Sequence, residues 1–210
     1  MTALLGSRIC LSRAVPASLF VLALSAFGGC SEPTPATPRV VFDSTLGGGP
    51  GQTSSCQINS QTWFAIGNFG NPDKGVPSKP IESGESEGQG QVTVDCKVAP
   101  EGDGFRVVAE VSTDGAPSNT GPVGATFSIE GVFTAEGKQE NVTAIFYRSD
   151  FGSFKQTDCT VTYPEAALKE TPVATGRVWG EISCPNIELA DQGRVCTGKA
   201  EFRFENCNQN

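Results

Sequence analysis

From Cys56 to the end of the chain a period-two alternation of apolar and polar residues dominates, and this period constrains the fold more than any other feature. In a β-strand successive side chains point to opposite faces, so every second residue shares one face. QVTVDCKV places Val92, Val94, Cys96 and Val98 together, and FRVVAEVS does the same for Phe105, Val107, Ala109 and Val111, leaving Arg106 and Glu110 outside. The polar, glycine-bearing APEGDG between them predicts a β-hairpin. GATFSIEGVFTAEG groups Ala125, Phe127, Ile129, Gly131 and Phe133, while VTAIFYRS, CTVTY, GRVWGEISC and KAEFRFENC follow in the same style, and QTWFAIGNF supplies an earlier strand. About eight strands are expected, bounded by Gly, Pro and Asp turns. Strands with one polar face favour antiparallel pairing, so the fold class is all-β, an antiparallel β-sandwich or Greek-key barrel. One stretch departs from the period. PEAALKE, residues 164–170, opens with proline and carries acid early and lysine late, which predicts a short helix.

The N-terminus has a different character. Residues 1–14 carry Arg8 and Arg13 with no acid, and Val15 to Phe27 run apolar. That run is short of the roughly 20 residues a spanning helix needs. A basic leader, a short apolar run and then small residues describe an export signal. Gly28, Gly29 and Cys30 complete it.

SAFGGC resembles the lipobox of bacterial lipoproteins, with Phe27 standing where leucine is typical. The resemblance covers residues 1–30 and implies cleavage before Cys30, lipidation of that cysteine and anchoring at a bacterial cell envelope. It also implies, through Ser31 at the position where aspartate tends to hold lipoproteins at the inner membrane, onward passage to the outer membrane. Residues 1–29 are then a discarded signal. Residues 30–55, with four prolines and GGGPG, read as a flexible tether, in which Val40, Val41 and Phe42 form a brief apolar patch able to dock as a short strand. Residues 56–210 remain as a single β domain of a size that supports one core.

Cysteine parity agrees with this division. Of the eight cysteines, Cys10 leaves with the signal and Cys30 takes the lipid, so Cys56, Cys96, Cys159, Cys184, Cys196 and Cys207 remain. An even number in an exported chain predicts three disulfides. Cys184 and Cys196 flank one strand-to-strand loop and are paired on that ground. Cys159 opens a strand and Cys207 closes the last one, so they form a second pair, leaving Cys56 with Cys96. Zinc is disfavoured, because the chain has no histidine and no CxxC spacing.

The same composition excludes several kinds of chemistry. Without histidine there is no Ser-His-Asp or Cys-His arrangement. The chain holds 15 Lys and Arg against 23 Asp and Glu; loss of Arg8 and Arg13 with the signal leaves a net charge of −10, which phosphate backbones repel. Nucleic acid is therefore not an expected partner, and no cofactor, metal or catalytic residue is assigned. The acidic IESGESEGQG, residues 81–90, lacks the Asp-rich pattern of a calcium loop and reads as a solvated, mobile loop. Trp63 sits in an apolar run and reads as core. Trp179 shares its face with Arg177 and Glu181 and is the candidate ligand contact. The expected role is a lipid-anchored, non-enzymatic envelope protein that binds or assembles with a protein or glycan partner. The rivals are a carbohydrate-binding module using Trp179 and a hydrolase using two carboxylates.

Overall fold

The hairpin expected around APEGDG forms in the predicted phase. β5 pairs with β6 so that Val94 faces Val111 and Cys96 faces Ala109, and Val92, Val94, Cys96, Val98, Val107, Ala109 and Val111 are all buried. The computed structural model describes residues 36–49, 53–71, 74–88, 90–189 and 191–210; Cys30 and residues 1–29, expected as a signal, lie outside the described residues. Pro35–Asn210 form one compact unit. In chain order its elements are β1 (Arg39–Gly47), α1 (Thr53–Cys56), β2 (Gln61–Ile66), β3 (Ile81–Glu82), β4 (Ser86–Glu87), β5 (Gly90–Glu101), β6 (Gly104–Ala116), β7 (Val123–Phe133), β8 (Gln139–Arg148), β9 (Gly152–Thr162), α2 (Glu165–Glu170), β10 (Val173–Ala174), β11 (Arg177–Leu189) and β12 (Arg194–Glu205).

The class is all-β and antiparallel, with twelve strands among the described residues where about eight were expected. Three of the additional strands, β3, β4 and β10, are only two residues long. The order is β2-β1-β12-β11-β9-β8-β7-β6-β5-β4, an up-and-down meander from β4 to β12 onto which the N-terminal β1 and β2 add beside β12. The sheet closes nearly into a barrel. β3 pairs with β1 at Val40↔Ile81, and β4 pairs with β5 at Ser86↔Gln91. Val92 donates to the Glu85 carbonyl at 2.8 Å, and Gly84 donates back to Val92 at 2.8 Å. Further along β5 the C-terminal tail takes over: Asn208 donates to Cys96, and Val98 donates to Asn208.

Two expectations change here. Residues 39–47 are a nine-residue strand of the barrel, where residues 30–55 were expected as a tether with only Val40, Val41 and Phe42 able to dock as a short strand. The apolar phase Val40, Phe42 and Leu46 faces inward, and the register with β12 runs unbroken from Arg39↔Glu205 to Gly47↔Thr197. At the end of the strand Gly47 leaves no room for a side chain, because a Cβ there would run into the Ser60 backbone. The stretch expected as a solvated, mobile loop instead carries two short strands, β3 paired with β1 and β4 paired with β5. Glu87 Oε2 accepts from the Gly67 amide at 2.6 Å, and Glu85 Oε2 from the Glu82 amide at 3.0 Å.

Phenylalanine rings fill the interior. Phe42 lies 4.6 Å from Phe64 and 4.7 Å from Phe127, and Phe127 lies 5.0 Å from Phe146 and 6.2 Å from Phe202. Each buried ring removes a large apolar area from water, and offset or tilted ring pairs add to that burial. α2 forms where expected, with Pro164 as its N-cap residue, Ala167 buried and an exposed Glu165–Lys169 pair at 2.9 Å.

Three disulfides form, as the cysteine count predicted, but none of the expected pairings is correct. Cys56 pairs with Cys196 rather than Cys96, Cys207 with Cys96 rather than Cys159, and Cys159 with Cys184 rather than leaving Cys184 for Cys196. The reason is register. Cys184 and Cys196 do lie on paired strands, yet a bulge at Pro185-Asn186 sets Cys184 opposite Gly198 and Cys196 opposite Ile187. On the other edge of β11, Ser183 faces Thr160, which brings the next residues, Cys184 and Cys159, side by side. β11 separates Cys159 from the tail that carries Cys207, and α1 sits against β12 rather than β5.

Non-reducing mass mapping should therefore return Cys56–Cys196, Cys96–Cys207 and Cys159–Cys184. The loops closed differ, with sequence separations of 140, 111 and 25. Loop entropy gives about 5 kcal/mol for each of the first two taken alone and about 3.5 kcal/mol for the third. Denaturant titration of the paired Cys→Ala variants should rank Cys159–Cys184 as the least costly to remove.

Candidate functional site

The outer surface of β1, β12 and β11 carries side chains in ranks set by register. Asp43 on β1 faces Glu201 on β12, and Glu201 faces Glu181 on β11, so three acids stand in a row across three adjacent strands. Strands lie about 4.8 Å apart, and like charges placed directly opposite one another destabilise a sheet. A groove of about 340 Å³ runs over this row, lined also by Thr45, Thr162 and Lys199. The acids form a line rather than converging on a point. Among the described residues no three His, Cys, Asp or Glu side chains are grouped to hold a metal ion.

Glu201 is the distinctive member. Burial pushes its carboxyl above the ordinary value of 4.5; a hydrogen bond from Trp179 opposes this, and the charges of Glu181 and Asp43 push it further up. Trp179 Nε1 donates to Glu201 Oε1 at 3.1 Å.

Further along the same strands, toward the barrel end, the outer charges are neutralised. Glu205 accepts from Arg39 at 2.6 Å and from Arg203 at 2.8 Å, and Arg203 also reaches Glu170 on α2 at 3.2 Å. Burial alone would raise Glu205. The hydrogen bonds and charges of Arg203 and Arg39 outweigh it and hold the carboxyl below its ordinary value.

Trp179 faces outward as the alternation required, but it is not the open platform expected of a ligand contact. It is only 9% exposed. Phe69, from the segment after β2, stacks on it at 6.3 Å, and the Arg203 guanidinium lies 4.7 Å from its ring centre. That segment folds back through bridges at Asn68↔Lys79 and Asn71↔Val76, far from Trp179 in sequence. Trp63 is fully buried, as expected, and its Nε1 has no hydrogen-bond partner. The acidic row itself escaped the sequence reading. Asp43 lay in the presumed tether, and Glu181 and Glu201 meet only through the β11–β12 register. The available signal was that both occupy outward positions of their strands.

No protein-family model, curated protein or solved structure matches the chain.

The two glutamates predict opposite pH behaviour. The stability linked to Glu201 is present below 4.5 and lost as pH rises through its raised folded value; that linked to Glu205 is present above 4.5 and lost as pH falls through its depressed one. Near neutral pH, Glu201→Gln should raise the melting temperature and Glu205→Gln should lower it. Thermal melts across an acid-to-neutral series should show both differences shrinking as the pH is lowered.

Proposed function

We propose that this chain is an exported lipoprotein held at the bacterial cell envelope by lipid on Cys30, with the β domain serving as a non-enzymatic module for binding or envelope assembly. The observation that carries this reading is the set of three disulfides, which belongs to an oxidising, extracytoplasmic compartment. The lipobox-like SAFGGC supplies the anchor, and Ser31 favours the outer membrane. Because β1 starts at Arg39, eight residues separate it from Cys30. At ~3.3–3.6 Å each they span at most about 29 Å, so the barrel would stay close to the lipid surface. The aromatic packing of the interior leaves the outer surface and the barrel ends for partners.

A second reading rests on one observation: Glu201, its carboxyl raised above its ordinary value by burial, stands beside Glu181 and Asp43. A carboxylic acid paired with a carboxylate is the equipment of glycoside hydrolysis. Hydrolysis of a glycoside substrate that is abolished by Glu201→Gln would establish it and displace the non-enzymatic reading.

The anchor is tested by metabolic labelling. Mature protein should carry labelled palmitate, processing should stall in globomycin, and Cys30→Ala should lose the label and leave the membrane fraction. Unlabelled mature protein would overturn the proposal.

A further inference from the structure

A pocket at one end of the barrel is built on different chemistry from the acidic groove. It lies where the start of β2, the β6–β7 loop and the β8–β9 turn meet, and it encloses about 410 Å³, within the roughly 300–1,000 Å³ of small-molecule sites. One wall is Phe151, partly exposed, whose ring centre is 5.3 Å from that of Trp63. The Arg148 guanidinium lies over both rings, 4.9 Å from Trp63 and 5.3 Å from Phe151. It donates to the carbonyl oxygens of Trp63 at 3.1 Å and Pro117 at 3.3 Å. It also forks onto Asp150, at 3.1 Å to Oδ1 and 2.9 Å to Oδ2. Only 4% of the Arg148 side chain is exposed, against 26% for Asp150. Thr62, Ser118, Asn119 and Thr120, all short and uncharged, complete the rim.

This arrangement selects by chemistry. Arg148 is committed to Asp150 and to two carbonyls, so an anionic ligand meets no spare cation. A cationic ligand meets a carboxylate already neutralised. Each Asp150 oxygen takes one hydrogen bond from Arg148 and keeps acceptor capacity, because an ionised carboxylate offers about four lone-pair sites. Such a charge-assisted acceptor binds hydroxyl groups strongly. An aromatic face beside it offers an apolar surface. The loop is held without a ligand: Ser118 Oγ donates to the Gly121 carbonyl at 2.6 Å and accepts from the Thr120 amide at 3.3 Å, which lowers the cost of ordering on binding.

We propose that this pocket binds a neutral sugar, its C–H face against Phe151, its hydroxyl groups donating to Asp150 and exchanging hydrogen bonds with Asn119 and Thr120. The proposal deepens the reading of the domain as a binding module and is independent of the lipid on Cys30.

The chain has two tryptophans, so Trp179→Phe leaves Trp63, beneath Arg148 and beside Phe151, as the fluorescent reporter. The purified mature chain should be titrated with glucose, galactose, N-acetylglucosamine and their β-linked disaccharides, with saturation-transfer NMR on the unmodified chain as a second readout. At least one sugar should give a saturable response. Asn119→Ala, at an exposed loop position, should leave the melting temperature unchanged and weaken binding about tenfold, as loss of one or two hydrogen bonds does; Asp150→Asn should weaken it further. No saturable response to any of these sugars in either readout would overturn the proposal, and so would a response that Asn119→Ala and Asp150→Asn leave unchanged. Palmitate on Cys30 without sugar binding would overturn the pocket alone, whereas sugar binding by unlabelled protein would support the pocket and overturn the anchor.

Discussion

The pairing of β1 with β12 joins the first and last strands of the domain, and much of the barrel depends on it. Without β1, the outer edge of β12 would present unpaired backbone groups, a template for association that folded proteins suppress. β2 and β3 both pair with β1, so they would lose their neighbour as well. β1 also delivers Phe42 to the aromatic cluster, in contact with Phe64 and Phe127, and Asp43 to the outer groove. The disulfides reinforce the same closure: Cys56–Cys196 ties α1, which follows β1, to β12, and Cys96–Cys207 ties the tail that follows β12 to β5.

On the outer face of these strands, two sets of charges behave in opposite ways. Arg39, Glu205, Arg203 and Glu170 alternate in sign and bridge β1, β12 and α2. The Arg203–Glu205 pair at the centre is largely buried, with side chains 19% and 12% exposed, while Arg39 and Glu170 reach out to the surface. Asp43, Glu201 and Glu181 do not alternate, and Glu201 is held half-buried among like charges. A local electrostatic cost kept on an otherwise well-packed sheet is the kind of inconsistency that marks functional surface. Arg148 and Asp150 resolve the same problem differently, by matching charge inside an aromatic wall.

Strand identity was legible wherever the alternation ran long. Val92 to Val98 and Val107 to Val111 lie in the predicted phase, and α2 occupies the stretch that broke the pattern. β1 was obscured because proline and glycine flank it, and that composition outweighed the short apolar phase of Val40, Phe42 and Leu46. The face of Trp179 was legible, but its cover was not, since Phe69 lies 110 residues away in the chain. The pairing of Cys184 failed for a smaller reason: one bulge in β11 moves Cys196 opposite Ile187. Of the candidate site, Glu181 and Glu201 could be assigned an outward direction, but not each other's company.

By itself, then, the sequence determined an antiparallel all-β domain with a short helix within residues 164–170 and six cysteines for three disulfides, because side-chain period and cysteine parity are properties of the local chain. Only the tertiary structure decided which cysteines meet, that residues 39–47 belong to the barrel, that Trp179 is covered, and that Asp43, Glu181 and Glu201 share a groove. Those outcomes depend on register between strands distant in sequence, where a single bulge or an inserted strand reassigns every neighbour while leaving the alternation itself unchanged.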